Sequence, residues 1–149
     1  MTRIAIGTDH GGFEQKEVLR AWLVERGHEV YDVGTFEAGV SVDYPDYAHA
    51  VAHAVADGSA DVGVLVCGTG LGMAIAADKV AGVRAVTVTC TDFARLAREH
   101  NNANVLCLSG RFVSEEDNQE IVNIFLSTDF EGGRHERRVA KFEQVGVDK

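Results

Sequence analysis

Five short apolar runs punctuate this chain, and between them the apolar positions recur at helical spacing. The runs are Thr2 to Gly7, His28 to Val33, Val62 to Val66, Arg84 to Thr89 and Asn104 to Leu108, and each reads as a strand. After the first, the polar turn Thr8-Asp9-His10-Gly11-Gly12 leads into a helix in which Phe13, Val18, Trp22 and Leu23 can share a face. After the second comes a loop, Gly34 to Asp43, long enough to line a site. Pro45 then suits the first turn of a helix whose core side is Tyr47, Ala48, Val51, Ala52 and Val55, closed by Gly58. Thr91 and Asp92 can cap a helix that carries Phe93, Leu96 and Ala97 and runs out at His100-Asn101-Asn102. Ser114 to Asp117 has the spacing of a capping box, with Asp for the usual Glu, ahead of Ile121, Val122, Ile124 and Phe125.

Strands alternating with helices in this way predict one domain spanning residues 1–149, an α/β fold of three layers with a Rossmann-like, five-stranded parallel sheet. Such sheets place ligands at the C-terminal ends of their strands. Asp9, His10 and Cys67 fall there, and His100 is assigned to the same edge.

The stretch from Asp61 to Ala77 is the most informative. Its β-branched run stops at Cys67-Gly68-Thr69-Gly70-Leu71-Gly72 and resumes as an Ala/Ile/Met-rich helix. Glycines let consecutive N–H groups converge at the positive end of the following helix, which makes an anion site. Cys67 sits at its mouth, where a thiol is available as nucleophile or base. Cys90 and Cys107 lack such a loop and read as small buried hydrophobes. Two alternatives stay open. The loop could be a dinucleotide fingerprint, although Met73 stands where the third Gly belongs, or a plain tight turn.

Composition narrows the partners. The 149 residues are 46% hydrophobic with a formal charge of −9, which fits one full core and argues against nucleic-acid or membrane-surface binding. No signal segment or membrane span is visible, and three cysteines without a CxxC spacing suit a reducing, cytoplasmic setting. His49 and His53 are four apart, but the sequence between them lacks the Glu of a metalloprotease motif and nothing supplies a clear third ligand; no metal is expected. An acidic chain nonetheless ends in a basic cluster. After Gly132-Gly133, Arg134 and Arg138 would share one helix face suited to a phosphate, whereas Arg137 reads as solvated surface.

Six separated segments in order resemble the ribose/galactose isomerase family: Ile6 to Phe13, Asp43-Tyr44-Pro45, Cys67 to Ala77, Arg98 to Asn101, Ser109 to Arg111 and Glu131 to Arg138. The resemblance covers Met1 to about Gln144. It implies reversible aldose–ketose isomerisation of a sugar phosphate, foremost ribose 5-phosphate with ribulose 5-phosphate, through an enediolate and without cofactor. Allose 6-phosphate, galactose 6-phosphate and tetrose phosphates are alternatives within the family, and a non-catalytic sugar-phosphate sensor is an alternative outside it. By the same resemblance Cys67 is the base, the amides of Gly68, Thr69, Gly70, Leu71 and Gly72 form the anion hole, and His100 opens the sugar ring with help from Asp9. His10, Arg111, Arg134 and Arg138 contact the phosphate, and Asn101 and Tyr44 contact the sugar. Members that lack the cysteine carry Glu at the position of Met73. The family implies a homodimer, with tetramers as an alternative. His100, Asn101 and a tail from about residue 131 to 149 would then serve the partner's site.

Overall fold

In the computed structural model, which describes residues 1–144, the strands are β1 (Arg3–Thr8), β2 (Glu29–Gly34), β3 (Val62–Cys67), β4 (Ala85–Thr87) and β5 (Val105–Ser109). All pair in parallel in the order β2-β1-β3-β5-β4. The helices are α1 (Phe13–Glu25), α2 (Tyr44–Ala56), α3 (Leu71–Ala77), α4 (Thr91–Glu99), α5 (Glu115–Ser127) and α6 (Arg134–Phe142), with a 3-10 turn at His10–Gly12.

Because side chains alternate along a strand, the sheet feeds two cores. Ile4, Ile6, Val64, Val66, Leu106 and Leu108 pack beneath α1, α4 and α5. Ala5, Leu65, Cys67, Val105 and Cys107 pack beneath α2 and α3. Leu19 and Leu23 of α1 are fully buried and each contributes about 1.5–3 kcal/mol by leaving water. Ser114 caps α5 by accepting the Asp117 N–H at 3.1 Å, as its capping-box spacing predicts.

Four local expectations differ from what is observed. The inner face of α1 carries Gln15 and Lys16 beside Leu19 and Leu23, while Phe13, Val18 and Trp22 are only partly buried. Phe93 points outward, 61% exposed, because Ala94 and Ala97 are the residues small enough to bring α4 onto the sheet. Cys90 precedes α4 and is exposed, since β4 ends at Thr87, earlier than its apolar run. His100 ends a helix, and a crossover helix runs antiparallel to the strands it joins, so its end lies at the N-terminal edge of the sheet. The hydrogen bonds place it there: Asn104 N–H donates to Arg84 O at 3.0 Å, and Gly63 N–H to Asn104 O at 2.9 Å, both at the starts of strands.

The expected tail reaches residue 144 within the described residues, and 145–149 lie outside them. Up to that point it packs on its own chain. Glu131 N–H donates to Glu99 O at 3.1 Å, and Arg84 pairs with Glu143 at 2.9 Å.

Candidate active site

Three neighbouring strands, β1, β3 and β5, end together, and the chain leaves β1 for β2 on one side while β3 lies on the other. That divergence opens a crevice at the C-terminal edge. After β1, Asp9 Oδ1 accepts the N–H groups of Gly11 and Gly12 at 3.0 and 3.2 Å. One carboxylate oxygen thus holds the 3-10 turn and the other is left for a ligand. His10 stands exposed beside it, its Nδ1 accepting the Val42 N–H at 3.1 Å. In the neutral ring the proton then sits on Nε2, which becomes a donor. The 35–42 loop therefore sets the tautomer of His10, and it is tied down by Thr35 N–H donating to Thr8 O at 2.9 Å.

After β3, the Cys67 thiol is 6% exposed and Sγ accepts the Gly70 N–H at 3.1 Å. That donor faces sulfur, which carries negative charge once the proton has left. Gly70 adopts φ +81°, and a Cβ there would come within 3.0 Å of Leu108 O, so the position admits only glycine. Strands β4 and β5 hold the loop's carbonyls. Gly110 N–H donates to Cys67 O at 2.8 Å, Ser109 Oγ and Arg111 N–H donate to Gly68 O at 2.8 and 3.1 Å, and Thr87 Oγ1 donates to Gly70 O at 2.7 Å. In a trans peptide the N–H points opposite its carbonyl, so the Gly68 and Thr69 N–H groups face away from β5, toward the crevice. The Leu71 N–H is taken internally by Thr69 Oγ1 at 3.2 Å.

Arg111 and Tyr44 complete this half. The Arg111 guanidinium lies 3.5 Å from where a Gly68 Cβ would be, and the Tyr44 ring occupies the space a Gly72 Cβ would need. Asp9, His10, Tyr44, Cys67, the Gly68–Gly72 loop and Arg111 therefore come from one chain to one opening. Its chemistry is a thiol beside preorganised N–H donors and a guanidinium.

His100, Asn101, Arg134 and Arg138 are not brought to that opening. Six-residue β3, at about 3.3 Å per residue, separates the two edges by far more than hydrogen-bond reach. These four form a second group around α4 and α6. Arg134, Arg138 and Asn101 are at least partly exposed, while His135 and Val139, one turn apart on α6, are buried. His135 stacks face to face on His100, ring centroids 4.2 Å apart and planes 11° from parallel. Its Nε2 is buried with no hydrogen-bond partner and lies 3.8 Å from Glu131 Oε1. Burial, then the nearby His100, Arg134 and Arg138 charges, hold the His135 imidazole below the ordinary histidine range.

Among the described residues, His100, Glu131 and His135 place ligand atoms within 4.8 Å of one another. The stack nevertheless aims the two rings' in-plane lone pairs along parallel planes, and Arg134 and Arg138 add positive charge, so this geometry does not suit a cation. His49 and His53 are exposed on α2. Sequence reasoning finds the arginines on either side of His135 and misses the histidine itself. The signal for it is the phase it shares with Val139.

The model of the family described as Ribose/Galactose Isomerase matches residues 4–142. Ribose-5-phosphate isomerase B of Escherichia coli is 50% identical over 139 residues, 93% of each chain. A solved ribose 5-phosphate isomerase of Thermotoga maritima superposes with a TM-score of 0.94 at 51% identity, covering 97% of this chain and 99% of that one. Ribose-5-phosphate isomerase B of Mycoplasma genitalium, solved with bound ribulose-5-phosphate, gives 0.91 at 46% identity, covering 94% and 93%.

Proposed function

Since the chain belongs to the ribose/galactose isomerase family and is an aldose–ketose isomerase of sugar phosphates, we propose that it interconverts ribose 5-phosphate and ribulose 5-phosphate with Cys67 as the base. The observation that carries this is the Cys67 sulfur held at the end of β3 by the Gly70 N–H, beside loop amides already aimed at the crevice. The Cys67 thiolate takes the proton from C2 of the open-chain aldose, and the electron pair moves through C1 onto the carbonyl oxygen. The Gly68 and Thr69 amides stabilise that oxyanion without having to reorganise. Transfer of the O2 proton to O1 and protonation of C1 by the same thiol then give the ketose.

Ribose 5-phosphate is a ring in solution, so an acid must first serve its ring oxygen as the C1–O4 bond breaks. His100 is that acid, and the free Asp9 oxygen takes up the anomeric hydroxyl proton. Since His100 lies at the far edge of its own chain, it acts on the sugar held at a partner's crevice, with Asn101 on the sugar and Arg134 and Arg138 joining His10 and Arg111 on the phosphate. Support for such a homodimer comes from Leu71 and Ile75 on α3 and Phe112 after β5, which are 59%, 65% and 73% exposed near the crevice.

The test is proton exchange and product formation by NMR in deuterated water. Ribose 5-phosphate, allose 6-phosphate, galactose 6-phosphate and a tetrose phosphate are offered in parallel to the purified, cofactor-free protein. Ribose 5-phosphate should convert ahead of the rest; a faster reaction with another sugar reassigns the substrate. In the Cys67→Ala variant binding should persist while turnover falls at least about a hundredfold, as loss of an acid–base group predicts.

A further inference from the structure

We propose that His135 is a positioning residue for ring opening, its buried ring acting as the platform that fixes the His100 imidazole. The inference rests on the assignment of His100 as the ring-opening acid. His100 is the partly buried residue that caps the C-terminal end of α4, followed by Asn101 and by Asn102 in the left-handed region at φ +47°. Helix ends fray, and a side chain there keeps one orientation only if something holds it. What holds it is the face of His135, at 4.2 Å and nearly parallel. His135 is itself 6% exposed and locked in the underside of α6, one turn from buried Val139.

The choice of residue at 135 is otherwise unexplained. An imidazole with an unpartnered buried Nε2 carries a desolvation cost that an apolar side chain of similar size would avoid. Burial, and then the positive charge of His100 and the two arginines, disfavour a proton on its ring, so it supports His100 without competing for the proton the acid must carry. It also joins two roles in one helix, because α6 presents Arg134 and Arg138 on its outer face and braces the acid with its inner one.

Ring opening can be separated from the proton transfer that follows it. Ribose 5-phosphate cyclises through O4, whereas in ribulose 5-phosphate the hydroxyl needed to close a furanose carries the phosphate, so the ketose stays open. The experiment compares kcat for ribose 5-phosphate with C1 proton exchange of ribulose 5-phosphate in deuterated water, for His100→Ala, His135→Ala and His135→Phe, each checked for folding by thermal unfolding. His135→Ala should lower kcat for ribose 5-phosphate about ten- to a hundredfold, the scale of a misplaced catalytic group, leave its KM within about twofold and spare ketose exchange. His135→Phe, which restores a stacked ring, should recover most of the loss. If His100→Ala shows the selective loss and His135→Ala does not, the positioning role is overturned alone. If His135→Ala depresses both reactions equally or raises KM only, or if phenylalanine restores nothing, His135 acts on packing or on phosphate and the proposal falls. If His100→Ala itself spares ribose 5-phosphate turnover, the ring-opening assignment fails and the positioning role goes with it.

Discussion

The three cysteines show how far neighbours outweigh residue type. Cys107 is sealed in β5, and burial pushes its thiol well above the ordinary range. Cys90 is open to solvent and Cys67 is reached only through the crevice. Alkylation followed by peptide mass analysis should therefore label Cys90 freely and leave Cys107 unlabelled. Ribulose 5-phosphate should protect Cys67 and leave Cys90 labelled as before; equal labelling of Cys67 with and without sugar phosphate would remove it from the site. Gly70→Ala meets both a left-handed backbone and the Leu108 carbonyl. It should cost at least about 1–2 kcal/mol in denaturant unfolding and abolish turnover. The strand, turn and helix around this loop were legible in the sequence because a glycine-rich turn after a β-branched run is local information. The exposure of Cys90 was not, since it depends on where β4 stops pairing with β5.

At the scale of elements, α1 shows what local periodicity cannot carry. Lys16 is completely buried, its Nζ 2.7 Å from Asp32 and 3.2 Å from Glu17, between the rings of Phe13 and Phe36. Gln15 donates to the carbonyls of Gly110 and Val113 and accepts from Asn118. The hydrogen-bond partners of Lys16 and Gln15, Glu17 apart, lie from 16 to 103 residues away in sequence, so no helical pattern announces that two polar residues face inward. Asp32→Asn should destabilise the fold by about 3 kcal/mol, because it leaves a buried ammonium with Glu17 alone. Asp32→Ala should in addition loosen the start of the 35–42 loop, since Asp32 Oδ1 accepts the Gly34 N–H at 2.8 Å, an acceptor that asparagine would keep.

A pH response belongs to α6. Its His135 is held below the ordinary histidine value by burial and adjacent positive charge, so between about pH 6.5 and that lower value the unfolded chain binds the extra proton. Stability contributed by the neutral ring is thus intact above pH 6.5 and declines as pH falls. His28 shifts the same way, through burial and then the amino terminus and Arg26. Thermal unfolding should move to lower temperature on acidification toward pH 5.5, and His135→Phe should flatten the decline.

For the whole molecule, five parallel strands and a crevice at their C-terminal edge followed from the alternation of runs, but the order of the strands and the edge to which His100 belongs did not. A helix end is not a strand end: β4 delivers the chain to one edge of the sheet, and α4 carries it back to the other. The observed separation supports the proposed site shared between two chains rather than one complete in each chain. Inactive Cys67→Ala chains mixed with inactive His100→Ala chains should regain activity after subunit exchange, toward about a quarter of wild type at equal mixing, because random pairing leaves one site in four with both groups. No recovery, with exchange demonstrated by mass labelling, would show that the two edges do not cooperate.

The placement of the two groups at opposite edges also governs how damage scales with dose. In the proposed dimer each chain lends one half to its own crevice and the other half to its neighbour's. In a population containing a fraction of chains broken at the cysteine loop alone, the working sites fall in direct proportion to that fraction. Chains broken at both edges spoil a site on either side of themselves, and the working sites then follow the square of the intact share. The same sheet that keeps the acid away from the base within a chain therefore makes a single lesion cost no more than its own share and a double one contagious.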